Sequence, residues 1–352
     1  TVPNGGPILL VNLSTNKIVE QLHPPSQPQC PVFSKDGQKL FVAYGAEPGG
    51  IAIFDLVGLT NTIVFASNQQ DGNFELYRMN EDGSDLHRLS WDKSTEVSPR
   101  FDPTGRYLAY ISDRPLAATP ERKDPHIWIR DFMKGEKRPL VRTNPNGEPT
   151  REGITLDWSP DGKTIAFIEG RGNSIRTVNV TTGFTEPLLT IDDVTPLDED
   201  FARFDVFRSL KWEARTNSIL FSCRPNSDFF NHCLFQYDVV TRRITTLKPK
   251  LDEHAALMSP CLSPQGDQLA VIRQSADEEA DTKHLAILDR QNLETLTEAN
   301  AEDGQAATPC FSPDGQFVYF TAKTGQHRQI FRVPAAGGVA QRITNFEADS
   351  IH

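Results

Sequence analysis

Short runs of alternating apolar and polar residues fill this chain, and one pattern recurs six times: CPVFSKDGQKLFVAY (30–44), SPRFDPTGRYLAYIS (98–112), TLDWSPDGKTIAFIE (155–169), SLKWEARTNSILFSC (209–223), SPCLSPQGDQLAVIR (259–273) and TPCFSPDGQFVYFTA (308–322). Each reads as strand, tight turn, strand. The second run alternates β-branched, aromatic and aliphatic residues, which favour a pleated surface. Most of the turns carry Pro-Asp-Gly or a variant, where Pro presets φ and Gly supplies φ > 0. The anchors Phe33, Phe101, Trp158, Trp212, Leu262 and Phe311 lie 68, 57, 54, 50 and 49 residues apart. A second strand pair follows most segments, as in SIRTVNVTTGFTEPLL (174–189) and HLAILDRQNLETL (284–296). Four strands in a meander at this period make a propeller blade. Helical repeats would need apolar spacings of three and four, which this chain lacks.

The stretch 61–90 supplies three strands without the Pro-Asp-Gly turn, IAIFDL (51–56) is a candidate for its innermost strand, and ILLVNL with KIVEQL adds a hairpin. The count gives an all-β fold, a propeller of seven four-stranded blades, with eight as the runner-up. Residues 1–352 form one domain on this reading. The tail FEADSIH is expected to add an edge strand that helps close the ring.

Composition narrows the function classes. The chain has 352 residues and a net charge of −11. An acidic protein lacks the clustered Lys/Arg that phosphate backbones require, so no nucleic-acid partner is expected. No apolar run is long enough to span a bilayer, so no membrane insertion is expected. The N-terminus lacks the basic start and apolar core of a signal peptide. Five cysteines show no CxxC spacing, which removes zinc-knuckle and thioredoxin-type readings. Cys223 and Cys233 flank a loop and could pair. Cys261 and Cys310 occupy one repeat position, in SPCLSPQG and TPCFSPDG.

FSPDG followed by an aliphatic strand, together with LYRMNEDGSDLHRLS, resembles the TolB-like β-propeller repeat, a WD40-like repeat, over residues 61–344. Residues 8–56 look more like the related YVTN-type repeat. The resemblance implies a toroidal scaffold of periplasmic or secreted proteins. It implies no single activity, since propellers host binding modules and enzymes alike.

Candidate sites follow from loop length. The irregular segments 113–125, 142–153, 190–207, 224–233 and 274–283 map to one face, and the short turns to the other. Function concentrates on variable loops held by a rigid frame. Asp198 and Asp200 stand among further acids in the 190–207 segment, beside Phe201 and Phe204, and Phe229 and Phe230 lie in 224–233. Acids next to aromatics suit a protein or glycan ligand. The bland account is that the acids keep the chain soluble and the Phe side chains pin the loops. His126, His232, His284 and His327 precede the third strands of different blades and should not converge on a metal. No cofactor is expected, although a divalent cation would suit the acidic face. The position before each anchor should line the central channel: Val32, Arg100, Asp157, Lys211, Cys261 and Cys310. Asp157 is expected to bridge Arg100 and Lys211. The leading expectation is a non-catalytic, monomeric, extracytoplasmic propeller that binds a protein or glycan on its loop-rich face. The alternative is a propeller-based polysaccharide lyase or lactonase with a metal or carboxylates at the channel. No nucleophile elbow of the GxSxG type occurs.

Overall fold

The computed structural model describes residues 62–68, 73–91, 93–118, 124–131, 136–143, 155–170, 172–194, 204–225, 232–247, 256–274, 282–299, 304–325 and 327–346 with their side chains, and the strands of 8–55 and 350–351 as backbone. Strands β1 (Ile8–Asn12) and β2 (Lys17–Leu22) form a hairpin, and β3 (Pro28–Phe33), β4 (Lys39–Tyr44) and β5 (Gly50–Asp55) form a three-stranded sheet. Blade 1 contains β6 (Thr62–Ser67), β7 (Glu75–Asn80) and β8 (His87–Arg88). Blade 2 is β9 (Glu96–Phe101), β10 (Tyr107–Ser112), β11 (His126–Asp131) and β12 (Lys137–Arg142). Blade 3 is β13 (Leu156–Trp158), β14 (Thr164–Glu169), β15 (Ser174–Asn179) and β16 (Thr185–Thr190), followed by a single helical turn, α1 (Ile191–Val194). Blade 4 is β17 (Phe204–Glu213), β18 (Ser218–Pro225), β19 (Cys233–Asp238) and β20 (Ile244–Leu247). Blade 5 is β21 (Ala256–Leu262), β22 (Gln268–Gln274), β23 (Lys283–Asp289) and β24 (Thr295–Ala299). Blade 6 is β25 (Ala307–Phe311), β26 (Phe317–Thr324), β27 (His327–Pro334) and β28 (Gln341–Arg342).

The ring has six blades, not the seven expected. The C-terminal strand β29 (Ser350–Ile351) pairs antiparallel with β6, through Ser350↔Ser67 and Ile351↔Ala66. It takes the innermost place in blade 1 that the sequence suggested for IAIFDL. That run instead pairs with β4 in the separate sheet β3-β4-β5, so the first FSKDG-type segment, with Phe33 and Val32, lies outside the six sheets. One apolar cluster fills each of six seams. Leu76 of blade 1 meets Tyr110 of blade 2, Ile129 meets Phe167, Ile168 meets Phe221, Leu220 meets Leu269, and Ile272 meets Phe320. The sixth cluster joins Tyr319 and Ile330 of blade 6 to Phe65 and Tyr77 of blade 1. A ring with six seams among six blades is closed.

The second strand of each blade is sandwiched between neighbouring blades, so both its faces are buried. TIAFIE and QLAVIRQ therefore read as nearly continuous apolar runs rather than alternating ones. Outer strands are half-wet, as in KRPLVR. The Pro-Asp-Gly turns are fixed by side chains. Asp161 Oδ1 accepts from Ser159 Oγ at 2.7 Å and from the Lys163 amide at 3.1 Å, while Ser159 Oγ accepts from the Thr164 amide at 3.0 Å. Ser312 and Asp314 repeat the arrangement in blade 6. Gly162 and Gly315 stand at φ of 67° and 75°, where a side chain is strained.

Candidate functional site: the central channel

The innermost strands carry a shared irregularity that aims side chains at the channel. Ser98, Ser259 and Thr308 have φ of 54°, 51° and 48°, and each precedes a proline. The strand register shifts at the same place, between Met258 and Cys261 and between Ala307 and Cys310. A positive φ at a non-glycine residue is costly, and bulges of this kind redirect side chains beside functional sites. Hydroxyl groups support them: the Ser259 amide donates to Ser209 Oγ at 3.2 Å, and Thr308 Oγ1 lies 3.1 Å from Thr321 Oγ1. After the bulge come Arg100, Cys261 and Cys310, the residues before the anchors.

A cavity of about 260 Å³ opens here, lined among others by Arg100, Asp157, Lys211, Cys310, Glu81 and Tyr319. Lys211 Nζ lies 3.2 Å from Asp157 Oδ2, and the same oxygen accepts from the Trp212 amide at 2.8 Å. One carboxylate thus ties blade 3 to blade 4. Burial alone would push the Lys211 ammonium down, but Asp157 and the nearby cysteine sulfurs hold it above the usual lysine range. Arg100 differs from the expected bridge. Its guanidinium donates to the Pro99 carbonyl at 2.8 Å and pairs with no carboxylate among the described residues. Asp157 therefore bridges one cation, Lys211. The Arg100 carbonyl accepts from Trp158 Nε1 at 2.9 Å, which joins blade 2 to blade 3.

Cys261 and Cys310 occupy the same repeat position on the inner strands of the adjacent blades 5 and 6, and each thiol donates to the carbonyl of the next residue, Cys261 Sγ to Leu262 at 3.8 Å and Cys310 Sγ to Phe311 at 3.5 Å. The neighbouring Cys261 thiol draws Cys310 down to about 6 against the effect of burial, with help from Lys211 and Arg100 and opposition from Asp157. Cys310, with burial, pushes Cys261 up. Glu81 carries no signal in the sequence, because blade 1 has no Pro-Asp-Gly segment to align, whereas Tyr319 lies on β26 within the repeat segment of blade 6. Burial, then the Asp314 charge, raises the Glu81 carboxyl, and Tyr319 Oη donates to the Glu81 carbonyl at 3.5 Å.

The face residues fare differently. Phe201, Phe229, Phe230, Asp198 and Asp200 lie outside the described residues. Phe204 does not face a partner: it begins β17, is fully buried, and packs edge-on against Phe235 at 5.4 Å. The 190–207 segment is shorter as a loop than expected, because β17 starts at Phe204 and α1 occupies 191–194. Asp205 pairs with Arg224 at 2.7 Å. Cys223 and Cys233 are directly opposed across β18 and β19, with no disulfide between them. His126 is buried with Nδ1 2.8 Å from the Asp124 carbonyl. Among the described residues no three His, Cys, Asp or Glu side chains converge to hold a metal. A larger cavity of about 700 Å³ lies between blades 3 and 4 at the opposite, short-turn end, beside Asp161, Glu186, Trp212, Tyr237 and Arg242.

Fold and channel together define a β-propeller of six four-stranded blades closed by its C-terminal strand. In comparison with known proteins, its fold is similar to that of the TolB β-propeller. No family model matches the chain. A stretch of 116 residues, 33% of this chain, is 34% identical to the Tol-Pal system protein TolB of Anaeromyxobacter dehalogenans, and the match spans only 24% of that relative's length. Among solved structures, TolB from Acinetobacter baumannii superposes with a TM-score of 0.60 over 91% of this chain and 81% of its own, at 15% identity. An oligogalacturonate lyase solved in complex with manganese superposes with a TM-score of 0.51 over 97% of this chain and 84% of its own, at 12% identity. These superpositions concern the fold alone. No helix among the described residues is long and apolar enough to cross a membrane.

Proposed function

We propose that this protein is a non-catalytic, extracytoplasmic propeller that binds a protein partner on its loop-rich face. One observation carries the reading. Blades 2 to 6 are simple meanders, so their first-to-second-strand turns fall at one end of the ring and their second-to-third-strand connections at the other. Blades 2, 3, 5 and 6 each cross the turn end with five residues, as between Trp158 and Thr164. The other end carries the long connections, between Ser112 and His126, Val194 and Phe204, and Pro225 and Cys233. In sequence, Asp198, Asp200 and Phe201 fall between Val194 and Phe204, and Phe229 and Phe230 between Pro225 and Cys233. The similarity to TolB, named for the Tol-Pal system, supports a protein partner. It also supports periplasmic placement. Asp157 favours a scaffold over an acid–base site, because its carboxylate is engaged by Lys211 and the Trp212 amide.

The test is photo-crosslinking in cells with a benzoylphenylalanine at position 230 and, separately, at position 184, whose exposed Phe184 marks the short-turn end. The reading predicts one dominant protein adduct at 230 and none at 184. Adducts only at 184 would place binding at the wrong end. A protein that releases unsaturated products from oligogalacturonate with added Mn²⁺ would be an enzyme, and the non-catalytic reading would fall.

A further inference from the structure

We propose that Cys261 and Cys310 form an oxidisable dithiol in the channel wall, which closes to a disulfide between blades 5 and 6 by exchange with a small disulfide entering the cavity. The inference stands on geometry that the repeat produces twice. Both cysteines follow a Ser/Thr-Pro bulge and precede the anchor of their blade. Strands β21 and β25 pack against each other, and Cys261 and Phe311 belong to the seam that joins the two blades. Cys310 lines the 260 Å³ cavity, so a reagent can reach it, whereas Cys261 is buried behind it. Lys211 and Arg100 line the same cavity as Cys310, and their charges favour its thiolate. Thiolate character and access together make a reactive cysteine.

Cys223 and Cys233 supply the internal contrast. They face each other directly, yet Cys223 is fully buried in the blade 3–4 seam and its thiol is pushed up by burial, then by Cys233. Proximity alone therefore does not give reactivity here.

The chemistry balances. The Cys310 thiolate attacks one sulfur of R–S–S–R, that S–S bond breaks, and RS⁻ leaves and takes a proton from solvent. The Cys261 thiol then loses its proton to water and attacks the Cys310 sulfur. A second RS⁻ leaves and is protonated. Starting from the Cys310 thiolate, the protein loses two electrons and one proton, solvent supplies the second proton, and the reagent becomes two thiols. Closure also removes the thiolate charge from the cavity that Arg100 and Lys211 line.

The experiment treats the native full-length chain with hydroxyethyl disulfide at neutral pH, digests it without reduction, and maps the products by mass spectrometry. The expected product joins the peptides of Cys261 and Cys310, and it appears before any change at Cys223 or Cys233. The C261S variant should trap the reagent on Cys310, and C310S should leave Cys261 unmodified. Iodoacetamide applied to the unmodified chain gives an independent readout: the alkylation of Cys310 should reach half its maximal rate at a lower pH than that of any thiol in the urea-unfolded chain. A stable mixed disulfide on wild-type Cys310, a link between other cysteines, or a native Cys310 that alkylates like an unfolded thiol would each overturn the proposal.

Discussion

At the scale of single residues, the position before each anchor is the informative one. Its register can be read from the repeat because a tight turn of fixed length locks the strand, so Arg100, Asp157, Lys211, Cys261 and Cys310 share one location in the ring. What the repeat does not show is pairing, since that depends on side-chain reach: Asp157 selects Lys211 and leaves Arg100 to a carbonyl. The variant Asp157→Asn should keep the Trp212 amide bond through its side-chain oxygen but leave Lys211 without a counter-charge. A fully buried broken pair costs about 3–5 kcal/mol. The Lys211 side chain is 30% exposed, so about 1–3 kcal/mol is expected in urea unfolding. Trp158 is 4% exposed and bonds the Arg100 carbonyl, so Trp158→Ala should cost about 3–5 kcal/mol in the same measurement. Cys310 gives a pH signature. Its folded pKa, about 6, lies below that of a free thiol, so its contribution is full above the unfolded pKa and is lost as pH falls through about 6. The groups that set it are Cys261, Lys211, Arg100 and Asp157. Stability should rise with pH between about 6 and the free-thiol range near 8.5, and Cys310→Ser should flatten that part of the profile.

Elements are legible where turn chemistry is explicit. The Ser/Asp/Gly arrangement reads directly from FSPDG and WSPDG, and the strands that flank it follow. Phe204 reads as a loop residue because β17 runs on for five residues before the repeat segment begins at Ser209, and its DVFR sequence carries no turn signal to mark the start. Glycines at the turns separate two kinds of constraint. Gly162 has φ of 67°, and an added Cβ there would make only ordinary contacts, coming no nearer than 3.7 Å to Pro103 Cδ. Gly83 has φ of 85°, and a Cβ there would meet the Ile343 carbonyl oxygen of blade 6 at 2.8 Å. Gly162→Ala should cost about 1 kcal/mol from backbone strain alone. Gly83→Ala should cost clearly more, because it also forces the blade 6–1 seam apart. Equal losses in chemical denaturation would mean that this seam yields freely.

On the scale of the whole molecule, the blade number is not legible in the sequence, and the reason is physical. The tail FEADSIH reads as a closing edge strand and supplies one, Ser350–Ile351, but two residues do not show which place in which blade they take, while residues 8–55 carry strand patterns as good as those of a true blade. Pattern reveals strands but not which edges they pair with. The face assignment is legible, because a meander fixes which connections share an end. The cross-blade bonds then stitch the inner ring: Trp158 to Arg100, Asp157 to Trp212, Ser259 to Ser209, and Tyr319 to Glu81. A rigid closed frame is what the proposed partner-binding face requires, and the frame depends on β29 covering the inner edge of β6. An uncovered edge would expose unpaired amides and carbonyls. The direct measurement is amide hydrogen exchange on the full chain and on a chain ended after Phe346. Closure by β29 predicts faster exchange in β6 around Ala66 and Ser67, and a lower Tm, in the shortened chain. Unchanged protection in β6, with an unchanged Tm, would contradict a ring of six blades closed by its C-terminal strand.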